Sequence, residues 1–250
     1  MRRLDRNVPR GLAKLSLRGG TAAAAIQLKT ISMSKRYELL IFDWDGTLMD
    51  SAAHIVESIQ NACADLDIPV PVARDCRQII GLGLTQALQA LLPNLPAFDY
   101  PRLTERYRHH YLGRDAEIPL FEGVAAGIRD LREAGYVLAV ATGKSQTGLQ
   151  RALDYHDLAS FFSATRCADQ THSKPHPAMV LEILDELLIT PERAIVIGDT
   201  SHDMLMAQNA GVDRLAVSYG AHEHDDLLAH DPVALLHSFG DVRQWLMKAA

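Results

Sequence analysis

Short apolar runs alternate with amphipathic stretches along most of the chain. Residues 37–42, YELLIF, are almost continuously apolar, the pattern of a strand buried on both faces. The same signature returns at 136–141 (YVLAVA), 194–198 (AIVIG) and 214–217 (RLAV), with a weaker version at 163–167. Between these runs the apolar residues fall at helical spacing, which predicts helices over 123–134, 145–155, 176–188, 201–210 and 233–247. Strands alternating with helices predict an α/β fold with a parallel sheet. In such sheets ligands bind at the carboxyl ends of the strands.

One stretch breaks the alternation. From Ser51 to Ile118 no strand pattern occurs. Ile55, Ile59, Ala62, Cys63 and Leu66 mark one amphipathic helix, and Leu103, Tyr107 and Tyr111 mark another. The pattern therefore predicts a helical insertion over 51–118. The core domain comprises 37–50 and 119–250, and a basic extension covers 1–36.

Composition narrows the class. The 250 residues are 48% hydrophobic and 22% charged, which excludes disordered and collagen-like chains. Three scattered cysteines, Cys63, Cys76 and Cys167, offer neither a disulfide framework nor a zinc site and suit a reducing compartment. No apolar run approaches the ~20 residues that span a bilayer. The expected location is cytoplasmic, without a membrane partner.

The net charge of -6 is unevenly spread. Residues 1–36 hold nine Lys/Arg and one acid, whereas the remainder holds 16 basic and 30 acidic residues. An acidic body is a poor nucleic-acid surface, and no nucleic-acid partner is expected. The basic end fits a secretory signal badly. A transit peptide or a basic arm for an acidic partner are alternatives. The simplest expectation is a disordered or mis-started extension, since Met33-Ser34-Lys35-Arg36 reads as a start just before the first strand.

The chemistry sits where the strands end. Asp43-Trp44-Asp45-Gly46-Thr47 follows the first strand. In extended chain, residues two apart face the same way, so Asp43 and Asp45 can share a cavity while Trp44 packs elsewhere. Gly46 lets the chain turn. Gly198-Asp199-Thr200-Ser201-His202-Asp203 repeats the situation after AIVIG. Each acidic pair alone reads equally as a βα loop with a helix cap. Together they make a site for a hard cation such as Mg²⁺. Thr142-Gly143-Lys144 after YVLAVA is either an anion cradle or an ordinary capped turn. Lys174, before Pro175, is either a point charge for phosphate or a surface lysine.

In this order the pieces resemble the haloacid dehalogenase superfamily of aspartate-nucleophile phosphohydrolases, in its phosphoglycolate-phosphatase-like branch. The resemblance rests on DWDGT at 43–47, Thr142, Lys174 and GDTSHD at 198–203, and on Phe121-Glu122-Gly123-Val124 where the core resumes. It implies a Rossmann-like parallel sheet with an inserted α-helical cap of the C1 type. It makes Asp43 the nucleophile and Asp45 the general acid/base. Thr142 and Lys174 become partners of the transferring phosphoryl group, with Gly46, Thr47 and Gly143 beside it. Asp43, the main-chain carbonyl of Asp45, and Asp199 become ligands of Mg²⁺, supported by Asp203 directly or through water. Trp44 departs from the smaller apolar residue usual in the family.

The implied activity is hydrolysis of a small phosphomonoester such as phosphoglycolate or a sugar phosphate. A phosphomutase of the β-phosphoglucomutase type and a non-enzymatic phosphate-binding regulator are the alternatives. All fixed positive charge in the insertion is arginine: Arg74, Arg77, Arg102, Arg106, Arg108 and Arg114. Some of them read as a solvated helix face. The insertion is expected to choose the substrate, with Arg74, Arg77, Arg102 and Arg106 as the candidate contacts and Gly81-Leu82-Gly83 as the loop dipping toward it. His222-Glu223-His224 with Asp225 and Asp226 reads as a solvated loop in preference to a second metal site. Oligomeric state is left open.

Overall fold

Six strands form one parallel sheet in the order β3-β2-β1-β4-β5-β6. They are β1 (Leu39–Phe42), β2 (Val137–Thr142), β3 (Ala164–Cys167), β4 (Ala194–Gly198), β5 (Asp213–Val217) and β6 (Ala234–Leu236). The computed structural model describes residues 35–115 and 118–248. β1 and β4 are buried throughout, which is why their sequences are continuous apolar runs.

Alternate residues serve opposite faces of the sheet. Leu40, Phe42, Leu138, Val140, Ile195 and Ile197 share one core cluster with Val124, Ile128 and Leu131 of α5 (Val124–Glu133) and with Val242 and Leu246 of α10 (Phe239–Lys248). Leu39, Ile41, Ala139 and Val196 share another with Met179, Val180 and Ile183 of α7 (Ala178–Leu187), and with Met206 and Ala207 of α8 (Ser201–Asn209). α6 (Gln146–Tyr155) follows β2, and the short α9 (His224–Leu228) precedes β6.

The last helix corrects the reading of 233–247. Ala234–Leu236 pair with Leu215–Val217 as β6, and α10 begins only at Phe239. Three apolar residues are too few to show a period of two. Their pairing with β5, flanked by Val233 N donating to Arg214 O at 2.9 Å, outweighs helical spacing.

Between β1 and α5 lie α1 (Ala52–Asp65), α2 (Ala73–Gln78), α3 (Leu84–Leu91) and α4 (Tyr100–Leu112). Ile55, Ile59, Ala62 and Cys63 of α1 are buried together with Leu88 of α3 and Leu103 of α4. The chain leaves and re-enters the core at one place. Asp50 N donates to Pro119 O at 2.9 Å, and Phe121 N donates to Leu48 O at 3.0 Å. Paired crossings leave the sheet continuous around the inserted helices.

The expectations for the N-terminal extension fall on residues 1–34, outside the described residues. Its last two residues are described and touch the core. Lys35 Nζ donates to Ala134 O, and Arg36 pairs with Asp213 at 2.8 Å. No helix among the described residues is long and apolar enough to cross a membrane.

Candidate active site

The sheet order reverses at β1, with β2 on one side and β4 on the other. A crevice opens at such a switch point, outside the carboxyl ends of the strands. Phe42 pairs with Ile197, and Asp43 N donates to Ile197 O at 2.9 Å, so Asp43 and Asp199 leave neighbouring strands side by side.

The turn after Asp43 is fixed by Gly46. Its φ is +86°, and a Cβ there would overlap the Asp199 carboxylate. Thr47 Oγ1 donates to Asp199 Oδ1 at 2.7 Å, and Ala221 N donates to Asp199 Oδ2 at 2.8 Å. Trp44 is fully buried on the other side, its Nε1 3.1 Å from Met49 Sδ and its ring edge-on to Phe162.

Lys174 is completely buried, with Nζ 2.7 Å from Asp43 Oδ1 and 2.6 Å from Asp203 Oδ1. Burial alone would lower its pKa, but Asp203 and Asp43 more than offset this and keep the ammonium charged. The other oxygen of Asp203 closes a capping box. It accepts from Thr200 N at 3.1 Å and from Thr200 Oγ1 at 2.6 Å. Asp203 thus closes the capping box and also partners Lys174; the sequence offered a place in the first helical turn or in a cation site, and the pairing with Lys174 was not anticipated.

Asp43, Asp199 and Asp203 each offer an oxygen within 4.8 Å of the others, all buried. Burial pushes the Asp43 carboxyl well above its ordinary range; Lys174 opposes this, and Asp203 and Asp199 add to it. Asp199 is pushed up to about 7, first by burial and then by Asp203. Asp43 Oδ2 has no hydrogen-bonding partner among the described residues. One lysine for three buried carboxylates leaves negative charge unbalanced, and an all-oxygen set with an unpartnered atom fits a hard divalent cation.

Thr142 ends β2, fully buried, and its Oγ1 accepts from Lys144 N at 3.2 Å. Asp45 lies opposite. It accepts from Ser51 Oγ at 2.7 Å and from Lys144 Nζ at 2.9 and 3.1 Å. Ser51 stands at the N-cap of α1 but makes no capping bond with its side chain, which turns to Asp45 instead. An N-cap serine is the ordinary reading of that position, so its partner was hidden in the sequence. Tyr111 was hidden likewise, since its spacing marked it only as a core position of α4.

A cavity of about 720 Å³ opens over Asp43 and Asp45. Thr142, Gly143 and Lys144 line it from the core, and Gly81, Leu82, Gly83, Tyr107, Arg108 and Tyr111 from the inserted helices. Gly46, Thr47, Lys174, Asp199 and Asp203 are not among the residues that line it. The 81–83 loop rests on the core, with Gly83 N donating to Ser173 Oγ at 2.7 Å.

The arginines sort differently from expectation. Arg102 pairs with Asp99 and Arg106 with Asp65, and neither they nor Arg74 and Arg77 line the cavity. Arg108 does, and has no ion-pair partner among the described residues. His222 also departs from the solvated-loop reading. It is 4% exposed, accepts from Ser201 N at 3.1 Å and packs edge-on to His202. Glu223, His224, Asp225 and Asp226 are exposed, and no second cluster of metal-ligating side chains occurs among the described residues.

The family model for haloacid dehalogenase-like hydrolases matches residues 40–217, a stretch that includes Asp43, Asp45, Thr142, Lys174, Asp199 and Asp203. The chain belongs to that family. It is 36% identical over 211 residues to a protein named probable phosphatase IndB from Dickeya dadantii, covering 82% of this chain and 91% of that one. A phosphoglycolate phosphatase from Caulobacter vibrioides is 35% identical over 81% of this chain and 88% of its own length. The tyrosine-protein kinase PtkA of Mycobacterium tuberculosis is 35% identical over 73% of this chain, which spans only 62% of that longer protein. Among solved structures, a predicted phosphoglycolate phosphatase from Haemophilus somnus superposes with a TM-score of 0.77 at 23% identity, over 85% of this chain and 99% of that one. This haloacid dehalogenase-like chain thus has the family's α/β fold.

Proposed function

We propose that this chain is a Mg²⁺-dependent phosphomonoester hydrolase that works through an aspartyl-phosphate at Asp43, in the cytoplasm. The observation that carries the reading is the buried Asp43–Lys174–Asp203 arrangement beside Asp199, under a cavity that also receives Asp45. Phosphatase names among the relatives support it.

The steps follow from the residue types. An oxygen of Asp43 attacks phosphorus, and the bond to the leaving oxygen breaks. Protonated Asp45 gives its proton to that oxygen. As a carboxylate, Asp45 then takes a proton from the water that attacks phosphorus and frees Asp43. Such general acid–base help is worth roughly 10²–10⁴-fold. Lys174 offsets charge on the phosphoryl oxygens, and the Thr142 hydroxyl and the Gly143 turn face the same group. Asp43, Asp199 and the carbonyl of Asp45 would hold Mg²⁺, which supplies further charge compensation when bound. Asp203, with both oxygens engaged, acts by holding Lys174.

The cavity suits a small organic phosphate of the phosphoglycolate or sugar-phosphate type. A mutase would share the Asp43 and Asp45 chemistry and differ in the acceptor, a second hydroxyl in place of water. Release of inorganic phosphate from a panel of phosphomonoesters with Mg²⁺ tests the reading. Full turnover in Asp43→Asn, or in excess EDTA, would overturn it.

A further inference from the structure

Two lysines divide the two central carboxylates between them. Lys174 serves Asp43, and Lys144 serves Asp45. Lys144 Nζ donates to both oxygens of Asp45, at 2.9 and 3.1 Å, and to the Tyr111 hydroxyl at 2.7 Å. An ammonium has three protons. The two Asp45 oxygens lie too close together to take separate protons, so they share one, and another goes to Tyr111. The Lys144 and Asp45 side chains are only 10% and 12% exposed, so water competes weakly for these bonds.

Tyr111 belongs to α4, in the inserted helices, and is itself held firmly. Its ring stacks on Tyr107 at 5.6 Å and lies 4.9 Å from His54, whose Nε2 is 3.0 Å from Tyr111 O. One nitrogen atom thus joins the inserted helices to Asp45. Lys144 also follows Gly143, on which the 81–83 loop rests.

We infer that Lys144 is a positioning residue for Asp45, and that Tyr111 makes this positioning depend on the inserted helices being in place. The inference rests on the proposed role of Asp45 as proton donor and acceptor. With Lys144 bonded to both oxygens, the carboxylate cannot rotate about its terminal torsion. Without it, the Ser51 hydroxyl is the only remaining donor to the Asp45 side chain among the described residues. The phosphoryl-binding groups Asp43, Lys174 and Thr142 are untouched by the change.

The test is steady-state and rapid-mixing kinetics of Lys144→Met, Lys144→Arg and Tyr111→Phe, on phosphoglycolate and p-nitrophenyl phosphate with Mg²⁺. A misplaced catalytic group costs up to about 10²-fold, so kcat of Lys144→Met should fall about ten- to hundredfold while KM stays within about threefold. p-Nitrophenolate leaves without a proton, whereas hydrolysis of the aspartyl-phosphate still needs Asp45 as base. Lys144→Met should therefore release a burst of nitrophenolate stoichiometric with enzyme, followed by slow turnover. Tyr111→Phe should shift kcat the same way by a smaller factor, and adding it to Lys144→Met should cost nothing more. Lys144→Arg should recover part of the loss.

A raised KM with unchanged kcat would make Lys144 a substrate contact and overturn the inference. So would additive effects of Lys144→Met and Tyr111→Phe, or wild-type kinetics in Lys144→Met. If Lys144→Met does not fold, Tyr111→Phe and Lys144→Arg carry the same readouts. Asp43→Asn separates the two levels. Activity in that variant sinks the hydrolase mechanism itself, whereas an inactive Asp43→Asn beside a wild-type-like Lys144→Met sinks only the positioning role.

Discussion

Gly143 lies directly beneath the carbonyl oxygen of Leu82: a Cβ at 143 would stand 2.5 Å from it, and 2.6 Å from the carbonyl oxygen of Gly81. Both neighbours are backbone, so the 81–83 loop has to lift if residue 143 gains a side chain. Overpacking of this kind costs about 1–3 kcal/mol. Gly143→Ala is expected to lower kcat/KM at least about fivefold, since 1.4 kcal/mol is a factor of ten. Its melting temperature should fall by only about 2–12 °C for a domain of this size. Unchanged kcat/KM would show that the loop does not need its seat on Gly143.

Metal binding has a readout independent of activity. A cation that binds only the folded chain stabilises it by about 2.7 kcal/mol at a hundredfold excess over Kd. At about 2–4 °C per kcal/mol, saturating Mg²⁺ should raise the melting temperature by about 5–10 °C. Asp199→Asn should lose most of that rise. An equal rise in wild type and Asp199→Asn would place the cation elsewhere.

Much of this site could be read from the chain because its residues follow buried strands whose apolar runs are unmistakable. Asp43, Thr142 and Asp199 inherit their positions from β1, β2 and β4, so locating the strands located them. What escaped depends on pairings between distant segments. Ser51 looks like a helix cap and Tyr111 like a core tyrosine, and only the packing of α1 and α4 brings both toward Asp45. β6 escaped because three residues carry no period. The buried state of His222 escaped because its neighbours, Glu223 to Asp226, are all charged or titratable and exposed.

Beside the role proposed for it in catalysis, Lys174 should be a stability residue. Removing one partner of a buried ionic set costs about 3–5 kcal/mol, because the remaining charges stay uncompensated. In metal-free protein, Lys174→Met is expected to lower the melting temperature by roughly 6–20 °C. Asp43→Asn in the same chain should restore part of the loss by removing one of the stranded carboxylates. No recovery in the double variant would mean that Asp43 is not the charge Lys174 balances.

His222 gives the pH dependence a definite sign. Burial, and then His202, push its pKa down to about 4. In the unfolded chain a histidine titrates near 6.5, and a tenfold change in proton affinity is worth about 1.36 kcal/mol. Between these values the unfolded chain takes up a proton that the folded chain refuses. The contribution of His222 is therefore fully present above about pH 6.5 and is lost as pH falls toward 4, by at most about 3 kcal/mol. The raised carboxyls of Asp43 and Asp199 work in the opposite sense, so the bare melting curve mixes the two. The difference between wild type and His222→Gln isolates the histidine. His222→Gln should melt progressively closer to, or above, wild type as pH drops from 7 to 4.5. A constant offset would show that His222 does not titrate in this window.

Selection of the substrate should fall to Arg108. On the proposed mechanism, the core groups around Asp43 satisfy only the phosphoryl group and its cation, which every phosphomonoester shares. Discrimination has to come from side chains that meet the leaving group. Arg102 and Arg106 are already engaged by Asp99 and Asp65, whereas Arg108 lines the cavity without an ion-pair partner among the described residues. A guanidinium there can take a carboxylate or a second phosphate in a forked pair of hydrogen bonds. Arg108→Met should therefore raise KM for phosphoglycolate by about tenfold or more, since a hydrogen bond to a charged group is worth about 1.5–3 kcal/mol. Phenyl phosphate, with no second anionic group, should change by less than about threefold. Arg108 is exposed, so the melting temperature should stay where it is. Arg102→Ala is the control and should leave both substrates alone. Equal losses on both substrates in Arg108→Met would show that the arginine serves the phosphoryl group or the fold, and no loss on either would remove it from substrate choice.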